Sequence, residues 1–496
     1  MTEDNKKSID LSTRLYRAEQ VRAMDRVAID QLGIPGLFLM KRAGQAAFDC
    51  LKEQWPAAKS ILVICGAGNN AGDGYVIARL AIESGLAVAV CSLVDPEKLR
   101  GDAKLAWQEY LQAGGDVELF SENSFSGKDI VVDAMLGTGL DREVSGGFAD
   151  AIAKLNQNKI PVLALDIPSG LNADTGVPLG NAVRATQTVT FIGVKQGLYT
   201  GESRDYTGSI DFDSLAVPAD VFDSQIPAAW LLTDPSSNFT RRPRSSHKGY
   251  FGHLLVVGGD TGFCGAARMA AQAGARIGAG LVSVATRASH AVFLNISQPE
   301  LMCRGVESVD EMQVLLQKAS VIAIGPGLGL NDWGLRIFES VIQESKPLVV
   351  DADALTLLSQ YPTRKDNWVL TPHPGEAGRL LGTHSVDIQR DRFAAAKAIQ
   401  SKYGGICVLK GAGTIIHNGE TTSVCPTGNP GMASGGMGDI LTGVIAGLVA
   451  QGDSIHSAAE TGVFVHGQAA DIAATDGERG LLASDLLEPL RRLVNP

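Results

Sequence analysis

The feature of this sequence that most limits its fold is the regular alternation of short apolar runs with longer segments of helical period. The runs are four to eight residues long and rich in Val, Ile and Leu. This pattern is typical of α/β proteins with mostly parallel sheets. The predicted strands are 60–65, 87–93, 129–135, 161–167 and 188–193 in the first half, and 253–259, 281–286, 320–325, 347–352, 368–371 and 405–411 in the second.

The stretch between residues 218 and 247 interrupts this alternation, because it loses periodicity and gathers Pro, Ser and Arg. At 496 residues the chain exceeds the usual length of one domain. We therefore predict an α/β protein of two domains, residues 1–225 and 244–496, with a linker over 226–243. The loop motifs of the two halves differ, which indicates two unrelated domains with room for two activities.

Charge and composition exclude several classes of protein. The chain has a formal net charge of -11 and therefore lacks the excess of positive charge that binds a phosphate backbone. No nucleic-acid partner is expected. The first residues lack the apolar core of a signal peptide, and no apolar run is long enough for a membrane span. We expect a cytoplasmic protein without a membrane partner. The seven cysteines are scattered and never spaced as CxxC, which favours packing roles for most of them.

In open parallel sheets, ligands bind at the carboxyl ends of strands. The segment "CGAGNNAGDGYVIARLA" (65–81) follows a predicted strand and opens a predicted helix. Its glycines can leave backbone N–H groups free to face an anion. Taken alone this signal is weak, since a tight strand-to-helix turn explains it equally well.

Polar side chains at successive strand ends strengthen the prediction of a site. Asn69, Asn70 and Asp73 lie in the first loop, Asp133 ends the third predicted strand and Asp166 ends the fourth. We expect them to converge on one crevice, where an oxygen-rich cluster without His or Cys suits a hard cation, including a monovalent one. For Asp73 alone, a helix cap or a solvated turn is the favoured interpretation, whereas Asp133 and Asp166 together favour function.

The second half contains "ASGGMGDILTGVIAGL" (433–448), a glycine loop that becomes a helix. The N–H groups of Gly436, Met437 and Gly438 at the positive end of this helix form an anion hole that needs no cationic side chain. A carboxylate would repel a phosphate there. Asp439 is therefore predicted to be a base that takes the proton from an attacking hydroxyl. The alternative, a helix cap, explains the acid but not the glycines.

These motifs carry a resemblance to known families. "GGMGD", "TPHPGE", "VLKGAGT", "DADAL", "IGPGLG" and the segment 262–282 resemble ADP/ATP-dependent NAD(P)H-hydrate dehydratases, which are ribokinase-like. "GAGNNAGDG", "DAMLGTGL" and "DIPSGL" resemble NAD(P)H-hydrate epimerases. The order of the two and their extent, from about Tyr16 to about Val494, are similar to the bifunctional repair enzymes. The resemblance implies an N-terminal Rossmann-like three-layer sandwich and a C-terminal ribokinase-like α/β domain.

For the first domain, the resemblance implies interconversion of the R and S hydrates of NADH and NADPH (NADHX and NADPHX) and a bound potassium ion. Asp166 is the candidate acid/base. The implied ion ligands are Asn70, Asp133 and Ser169, and the implied substrate contacts are Asn69, Asn70, Ala71, Gly72, Asp73, Gly137, Thr138, Gly139, Leu140, Asp141, Arg142, Glu143 and Asp166. Ala71 departs from the family, which usually has glycine there, and a methyl group could disturb the loop if φ is positive.

For the second domain, the resemblance implies dehydration of the S hydrate at the expense of ADP, giving AMP and phosphate, with ATP as the other nucleotide. Magnesium is expected from phosphoryl-transfer chemistry, and a homo-oligomer is expected. The implied substrate contacts are Ala266, Gly327, His373 and Asp439, and the implied nucleotide contacts are Lys410, Gly411, Ala412, Gly413, Thr414 and Gly438. Without the resemblance, His373 could be a turn residue between prolines and Lys410 a surface lysine.

Two other classes stay open at this point. The second half could be a plain kinase that phosphorylates a stable hydroxyl of a small molecule. The first half could be a non-catalytic binding module, although Asp133 and Asp166 argue against it.

Overall fold

The computed structural model describes residues 10–495, and the chain divides into two compact units, Met1–Trp230 and Leu231–Pro496. This division falls within the segment 226–243 that the sequence predicts as a linker. Within residues 10–495, no helix is both long enough and apolar enough to cross a membrane.

The first unit contains a parallel sheet, helices and a few short strands. Its strands are β1 Arg14–Tyr16, β2 Ser60–Cys65, β3 Ala87–Ser92, β4 Glu118–Leu119, β5 Ile130–Ala134, β6 Val162–Leu165, β7 Gln187–Phe191, β8 Val194–Lys195, β9 Ser209–Asp213 and β10 Ala229–Leu231. Its α-helices are α1 Ala18–Arg26, α2 Gly36–Gln54, α3 Asn69–Glu83, α4 Gly101–Gln112, α5 Gly147–Gln157 and α6 Ala219–Asp223.

The main sheet of the first unit runs β4-β3-β2-β5-β6-β7-β9, with parallel neighbours throughout. Alternate residues of β2 pack on opposite faces of this sheet. Ile61, Val63 and Cys65 pack with α2, α3 and α4, while Leu62 and Ile64 pack with α5. Helices on both faces make the predicted three-layer sandwich. The strand order reverses between β2 and β5, which places a ligand crevice at the carboxyl ends of those strands.

The second unit is also an α/β unit. Its strands are β11 His253–Val257, β12 Leu281–Thr286, β13 Met302–Gly305, β14 Val321–Ile324, β15 Leu348–Val350, β16 Trp368–Leu370, β17 Ile406–Leu409, β18 Ile415–His417 and β19 Thr422–Val424. Its α-helices are α7 Cys264–Arg276, α8 Ala288–Ser297, α9 Val309–Leu316, α10 Asp332–Ile342, α11 Ala352–Gln360, α12 Pro374–Leu381, α13 Ser385–Arg390, α14 Arg392–Tyr403, α15 Met437–Ala450, α16 Ile455–Ala473 and α17 Leu487–Leu493.

In the second unit the strands lie in the order β13-β12-β11-β14-β15-β16-β17-β18-β19, parallel as far as β17 and antiparallel from there. Helices α7, α15 and α16 share one buried core with this sheet. Gly443 of α15 lets α7 approach closely, because a Cβ at this position would overlap the carbonyl of Ala270. Part of the glycine content of the 433–448 segment therefore serves helix packing.

Every strand predicted from an apolar run is present, within two residues at either end. The strands that the sequence analysis missed are β1, β4, β8, β9, β10, β13, β18 and β19. Most of them have only two to four residues, so their own sequence carries little periodic signal.

Candidate active sites

A cavity of about 580 Å³ opens at the carboxyl ends of the strands of the first unit. The predicted substrate contacts that line it are Asn69, Asn70, Asp73, Gly137, Thr138, Gly139, Leu140, Asp141, Arg142 and Asp166. Ala71, Gly72 and Glu143 are not among its lining residues. The polar strand-end loops therefore meet at one place, as the alternating pattern predicts.

Asn70, Asp133 and Ser169, the predicted ion ligands, belong to one hydrogen-bond network. The hydroxyl of Ser169 donates to Asp133 Oδ1 at 2.6 Å, and its N–H donates to Oδ2 at 2.8 Å. The Leu136 carbonyl accepts from Asn70 Nδ2 at 3.0 Å, and the Leu136 N–H donates to Ser169 Oγ at 2.8 Å. Asp133 is fully buried, and burial raises its pKa to about 6 even though the Ser169 bonds favour the carboxylate.

The amide oxygen of Asn70 bears on whether these residues fit a potassium ion. Within the described residues, Asn70 Oδ1 is buried and has no hydrogen-bond partner. A buried amide oxygen is costly unless a donor or a cation serves it. An unpartnered amide oxygen beside a hydroxyl and a single carboxylate provides the hard oxygen ligands of a cation with low charge. The residues present therefore fit the potassium ion that the resemblance implies.

The departure at Ala71 does not disturb the loop. Ala71 lies inside α3 and is not among the residues with positive φ. Its methyl group is fully buried. The condition under which alanine would have been unfavourable is therefore absent at this position.

Asp166 is held in an unusual backbone conformation and by a buried lysine. Its φ is +64°, in the left-handed region that residues other than glycine adopt uncommonly. Asp166 Oδ1 forms an ion pair with the ammonium of Lys195, whose side chain is fully buried, and accepts from the Phe191 N–H at 3.2 Å. Ile192, another lining residue, also has a positive φ of +60°. Backbone strain concentrated around one cavity is typical of functional sites.

Two further carboxyl groups of the cavity lining, those of Asp25 and Asp73, have raised pKa values. Burial and the negative charge of Asp166 raise the pKa of Asp25 to about 6 against the opposing effect of Lys195. Burial also raises the pKa of Asp73 well above its ordinary value, and Asp166 adds to this effect. Asp73 is not the cap of α3, because the N-cap is Gly68. The cap interpretation of Asp73 is therefore wrong.

In the second unit, α15 begins immediately after the glycines of the 433–448 segment. Gly436 is its N-cap, has a φ of +95° and offers no capping side chain, so the N–H groups of the first turn lack intrahelical partners. Asp439 lies in this first turn. Burial, and next the neighbouring charge of Asp351, raise the pKa of Asp439 to about 7, while Lys410 opposes the shift. A carboxyl group that titrates near neutral pH beside an anion hole is suited to proton transfer.

A buried charge network supports this helix terminus. Lys410 Nζ lies 2.7 Å from Asp351 Oδ1 and 3.8 Å from Glu376 Oε2. The Thr442 hydroxyl donates to Asp351 Oδ2 at 2.8 Å, which ties Asp351 to α15. Only 18% of the Lys410 side chain is exposed, so its interpretation as a surface lysine is wrong. A Cβ on Gly438 would lie 3.1 Å from Lys410 Nζ, which places glycine where backbone and ammonium meet.

His373 has a structural role at the start of α12. Its Nδ1 accepts from the N–H groups of Gly375 at 3.0 Å and Glu376 at 3.4 Å. In turn, the His373 N–H donates to Glu376 Oε2 at 2.8 Å. This reciprocal capping fixes the ring. Since 52% of the side chain remains exposed, substrate contact by His373 stays a prediction.

The other predicted contacts of the second unit lie on loops at the same ends of the strands. Gly327 follows β14, and a Cβ there would meet Phe263 and lie 3.4 Å from the Cβ of Ala266. The predicted nucleotide loop, residues 410–414, follows β17, and Gly411 and Gly413 have positive φ. The guanidinium of Arg392 donates to the carbonyls of Leu409, Lys410 and Gly413 at 3.2 to 3.5 Å, which fixes the loop from its buried side.

Sequence reasoning missed several residues that complete these sites. Asp351 opens the motif "DADAL" and Glu376 ends the motif "TPHPGE". Asp351 directly follows β15, so the rule that polar residues at strand ends form sites applies to it as it does to Asp133. Lys195 carried a usable signal, since it interrupts an apolar stretch. Asp25 carried none, because an acid on an amphipathic helix is usually solvated.

These observations define a class of protein. Two parallel-sheet units each carry acids with shifted pKa values at the carboxyl ends of their strands. In one unit these acids lie near the oxygen atoms of Asn70, Asp133 and Ser169, and in the other they lie beside a glycine-bounded helix N-terminus. The chain is a two-domain α/β enzyme with one site in each domain.

Comparison with known proteins identifies the family. Residues 36–197 match the family described as YjeF-related protein N-terminus, and residues 254–492 match the family described as NAD(P)H-hydrate dehydratase. The bifunctional NAD(P)H-hydrate repair enzyme Nnr of Coxiella burnetii is 48% identical over 98% of this chain and 100% of its own length. That of Escherichia coli is 42% identical over 99% of this chain and 96% of its own. The chain belongs to the family of bifunctional NAD(P)H-hydrate repair enzymes.

A solved structure resembles part of the chain. The crystal structure of a hypothetical protein from Streptococcus mutans is 32% identical, with a TM-score of 0.50, and covers 53% of this chain and 98% of its own. Together with the dehydratase family match over residues 254–492, this agrees with the predicted ribokinase-like fold of the second unit.

Proposed function

We propose that this chain repairs hydrated nicotinamide cofactors with two activities. The first unit interconverts the R and S forms of NADHX and NADPHX, and the second dehydrates the S form to NAD(P)H at the expense of ADP, releasing AMP and phosphate. The observation that carries the proposal is the placement of Asp439, with its pKa raised to about 7, in the unpaired first turn of α15. That combination provides a base and an anion hole side by side.

The dehydration needs a kinase-like step because hydroxide is a poor leaving group. Asp439 takes the proton of the substrate hydroxyl as its oxygen attacks the terminal phosphorus of ADP, and AMP leaves. The phosphorylated oxygen then departs as phosphate, expelled by the lone pair of the ring nitrogen, and loss of a proton from the neighbouring carbon restores the double bond. The first-turn N–H groups of α15 stabilise negative charge on the transferred group.

The predicted nucleotide contacts support this proposal through their position. Arg392 donates to the carbonyls of Leu409, Lys410 and Gly413, which fixes the 410–414 loop from its buried side. A Cβ built on Gly438 would lie 3.1 Å from Lys410 Nζ, so this helix start lies close to the loop. Magnesium would be held mainly by nucleotide phosphates, which need only one or two protein ligands. Among residues 10–495, no group of three or more His, Cys, Asp or Glu has the arrangement of a metal site.

In the first unit, potassium held by Asn70, Asp133 and Ser169 would supply positive charge at the edge of the cavity. Asn69, Asn70, Asp73 and residues 137–142, which line the cavity, would surround the substrate, and Asp166 would act as an acid/base. The homo-oligomer and the cytoplasmic location stay predictions.

One experiment tests the whole proposal. The purified chain is incubated with mixed R and S hydrates and either ADP, ATP or no nucleotide, and both epimers, phosphate and AMP are followed by chromatography. We expect epimer exchange without nucleotide, and complete conversion to NAD(P)H with equimolar phosphate when ADP is present. A stable phosphorylated organic product would instead identify a small-molecule kinase, and absence of epimer exchange would make the first unit a binding module.

A further inference from the structure

The charged residues that line the cavity of the first unit and that the resemblance does not assign include Asp25 of α1 and Lys195 of β8. We propose that Asp25 and Asp166 form a two-base pair, in which Asp25 acts on the hydroxyl at one face of the substrate ring and Asp166, positioned by Lys195, acts at the other face. This rests on the proposed epimerase function of the cavity and assigns its proton transfers.

The ammonium of Lys195 uses all of its N–H groups in contacts with the protein. Besides its ion pair with Asp166 Oδ1, Nζ donates to the hydroxyl of Thr190 at 3.1 Å and to the carbonyl of Phe191 at 3.1 Å. An ammonium has three N–H groups, and these three acceptors use all of them. Lys195 is therefore a positioning residue that orients Asp166, and not a nucleophile.

Asp166 is held through one of its two oxygens. Oδ1 accepts from Lys195, from the Thr190 hydroxyl at 3.3 Å and from the Phe191 N–H at 3.2 Å. Among the described residues, no hydrogen bond reaches Oδ2, and Asp166 lines the cavity. One oxygen is thus fixed by the protein while the other is left to a substrate or a water molecule, which is the arrangement of an oriented base.

Asp25 differs from Asp166 in the surroundings of its carboxyl group. It lines the same cavity from α1, and within residues 10–495 its side chain makes no hydrogen bond. Burial and the nearby Asp166 raise its pKa to about 6, so it keeps its proton more readily than an ordinary aspartate. The two carboxyl groups thus line one cavity in different surroundings, since Asp166 is paired with Lys195 while Asp25 has no hydrogen-bond partner among the described residues.

Asp73 lines the cavity as well, but it is a weaker candidate. It follows Asn70, an ion ligand in this reading, by one helical turn of α3, so a change at Asp73 also perturbs the ion site. Helix α1 carries no ion ligand. Asp25 is therefore the acid whose role can be tested separately.

The inversion balances with water as the only co-reactant. Protonated Asp25 gives its proton to the hydroxyl oxygen, the C–O bond breaks as water leaves with both electrons, and the lone pair of the ring nitrogen forms a C=N bond. Water adds to the opposite face, its proton passes to Asp166, and the C=N electrons return to nitrogen. The pair ends with Asp25 ionised and Asp166 protonated, which is the state that catalyses the reverse inversion.

This chemistry predicts an isotope result for the unmodified full-length chain. Each inversion replaces the hydroxyl oxygen by one from solvent. When the purified R form is incubated in ¹⁸O-water without nucleotide, the S form that appears should carry one ¹⁸O per molecule after correction for the enzyme-free reaction. Mass spectrometry measures this. Inversion with retention of ¹⁶O, as expected for opening of the ring at the C–N bond, overturns the proposal.

Variants test the residue assignment. Asp25→Asn should lower kcat of epimerisation by about a hundred- to ten-thousand-fold, while substrate affinity changes by less than about threefold because Asn keeps the size of the side chain. The matched control is Asp30→Asn, an exposed residue shortly after α1, which should keep the wild-type rate. The melting temperature and the dehydration rate of the same preparation report folding, and Asp25→Ser is the second variant if the first is insoluble.

The outcomes separate this proposal from the one on which it rests. If the wild-type chain does not exchange the epimers, the proposed epimerase function fails. If the wild type incorporates ¹⁸O while Asp25→Asn keeps its rate, or if only Asp73→Asn abolishes exchange, the function stands and the role of Asp25 is overturned. Loss of both exchange and ¹⁸O incorporation in a folded Asp25→Asn chain, with the Asp30→Asn control active, supports the pair.

Discussion

At the scale of single residues, Asp439 is the proposed base of the second unit. Asp439→Asn keeps the size of the side chain but cannot accept the proton. Dehydration should fall by about a hundred- to ten-thousand-fold, whereas ADP affinity should change little because backbone N–H groups form the anion hole. Epimer exchange should continue, since that site lies in the other unit. A near-normal dehydration rate would reduce Asp439 to a structural role, and loss of all three properties would indicate misfolding.

The pKa of Asp439 predicts how dehydration depends on pH. Burial and the charges of Asp351, Asp353 and Glu376 raise it to about 7. A base acts only when ionised, so kcat/KM for dehydration should fall about tenfold per pH unit below pH 7 and level off above it. Glu376→Gln removes one of the raising charges and should move the profile to lower pH. Equal loss of activity at every pH in that variant would contradict the electrostatic explanation.

At the scale of elements, the ends of β2, β5 and β6 bring the proposed ion ligands together. Asp133→Ala removes the only formal negative charge among the three proposed ligands and also leaves Ser169 and Met135 without the acceptor that they use at 2.6 to 3.2 Å. Epimer exchange should fall, and its dependence on KCl and NaCl should change. Titrating each salt with the variant and the wild type measures this, and dehydration by the same chain is the control. An unchanged rate and salt response would remove the ion site.

At the scale of the whole molecule, each unit should act alone. A fragment of residues 1–230 should fold and exchange epimers, and a fragment of 231–496 should dehydrate only the S form. The first fragment should extend to Trp230, because β10 pairs with β1 through Leu15 and Ala229. A fragment that stops at 225 lacks β10 and should melt at a lower temperature. If neither longer fragment is soluble while the full chain is, the units do not fold independently.

The sequence by itself determined the two-unit α/β organisation and several site residues. Buried parallel strands must be apolar on both faces, so β2, β5, β11 and β14 are visible as Val, Ile and Leu runs without knowledge of the fold. Asp133, Asp166 and Asp439 could be predicted because each directly follows or ends a recognisable local element. For such residues, the place in the sequence relative to a strand or helix is enough to predict the place at a strand end or helix start.

Only the tertiary structure decided the remaining features. Lys195 meets Asp166, and Asp25 reaches the same cavity, through packing of segments distant in the sequence, which periodicity cannot reveal. Short strands such as β13 and β18 exist because a neighbouring strand offers unpaired backbone groups, and not because of their own composition. The raised pKa values of Asp25, Asp73 and Asp439 arise from burial and from charges brought close by folding. Desolvation and Coulomb interactions depend on distance in space, and that distance is fixed by the fold.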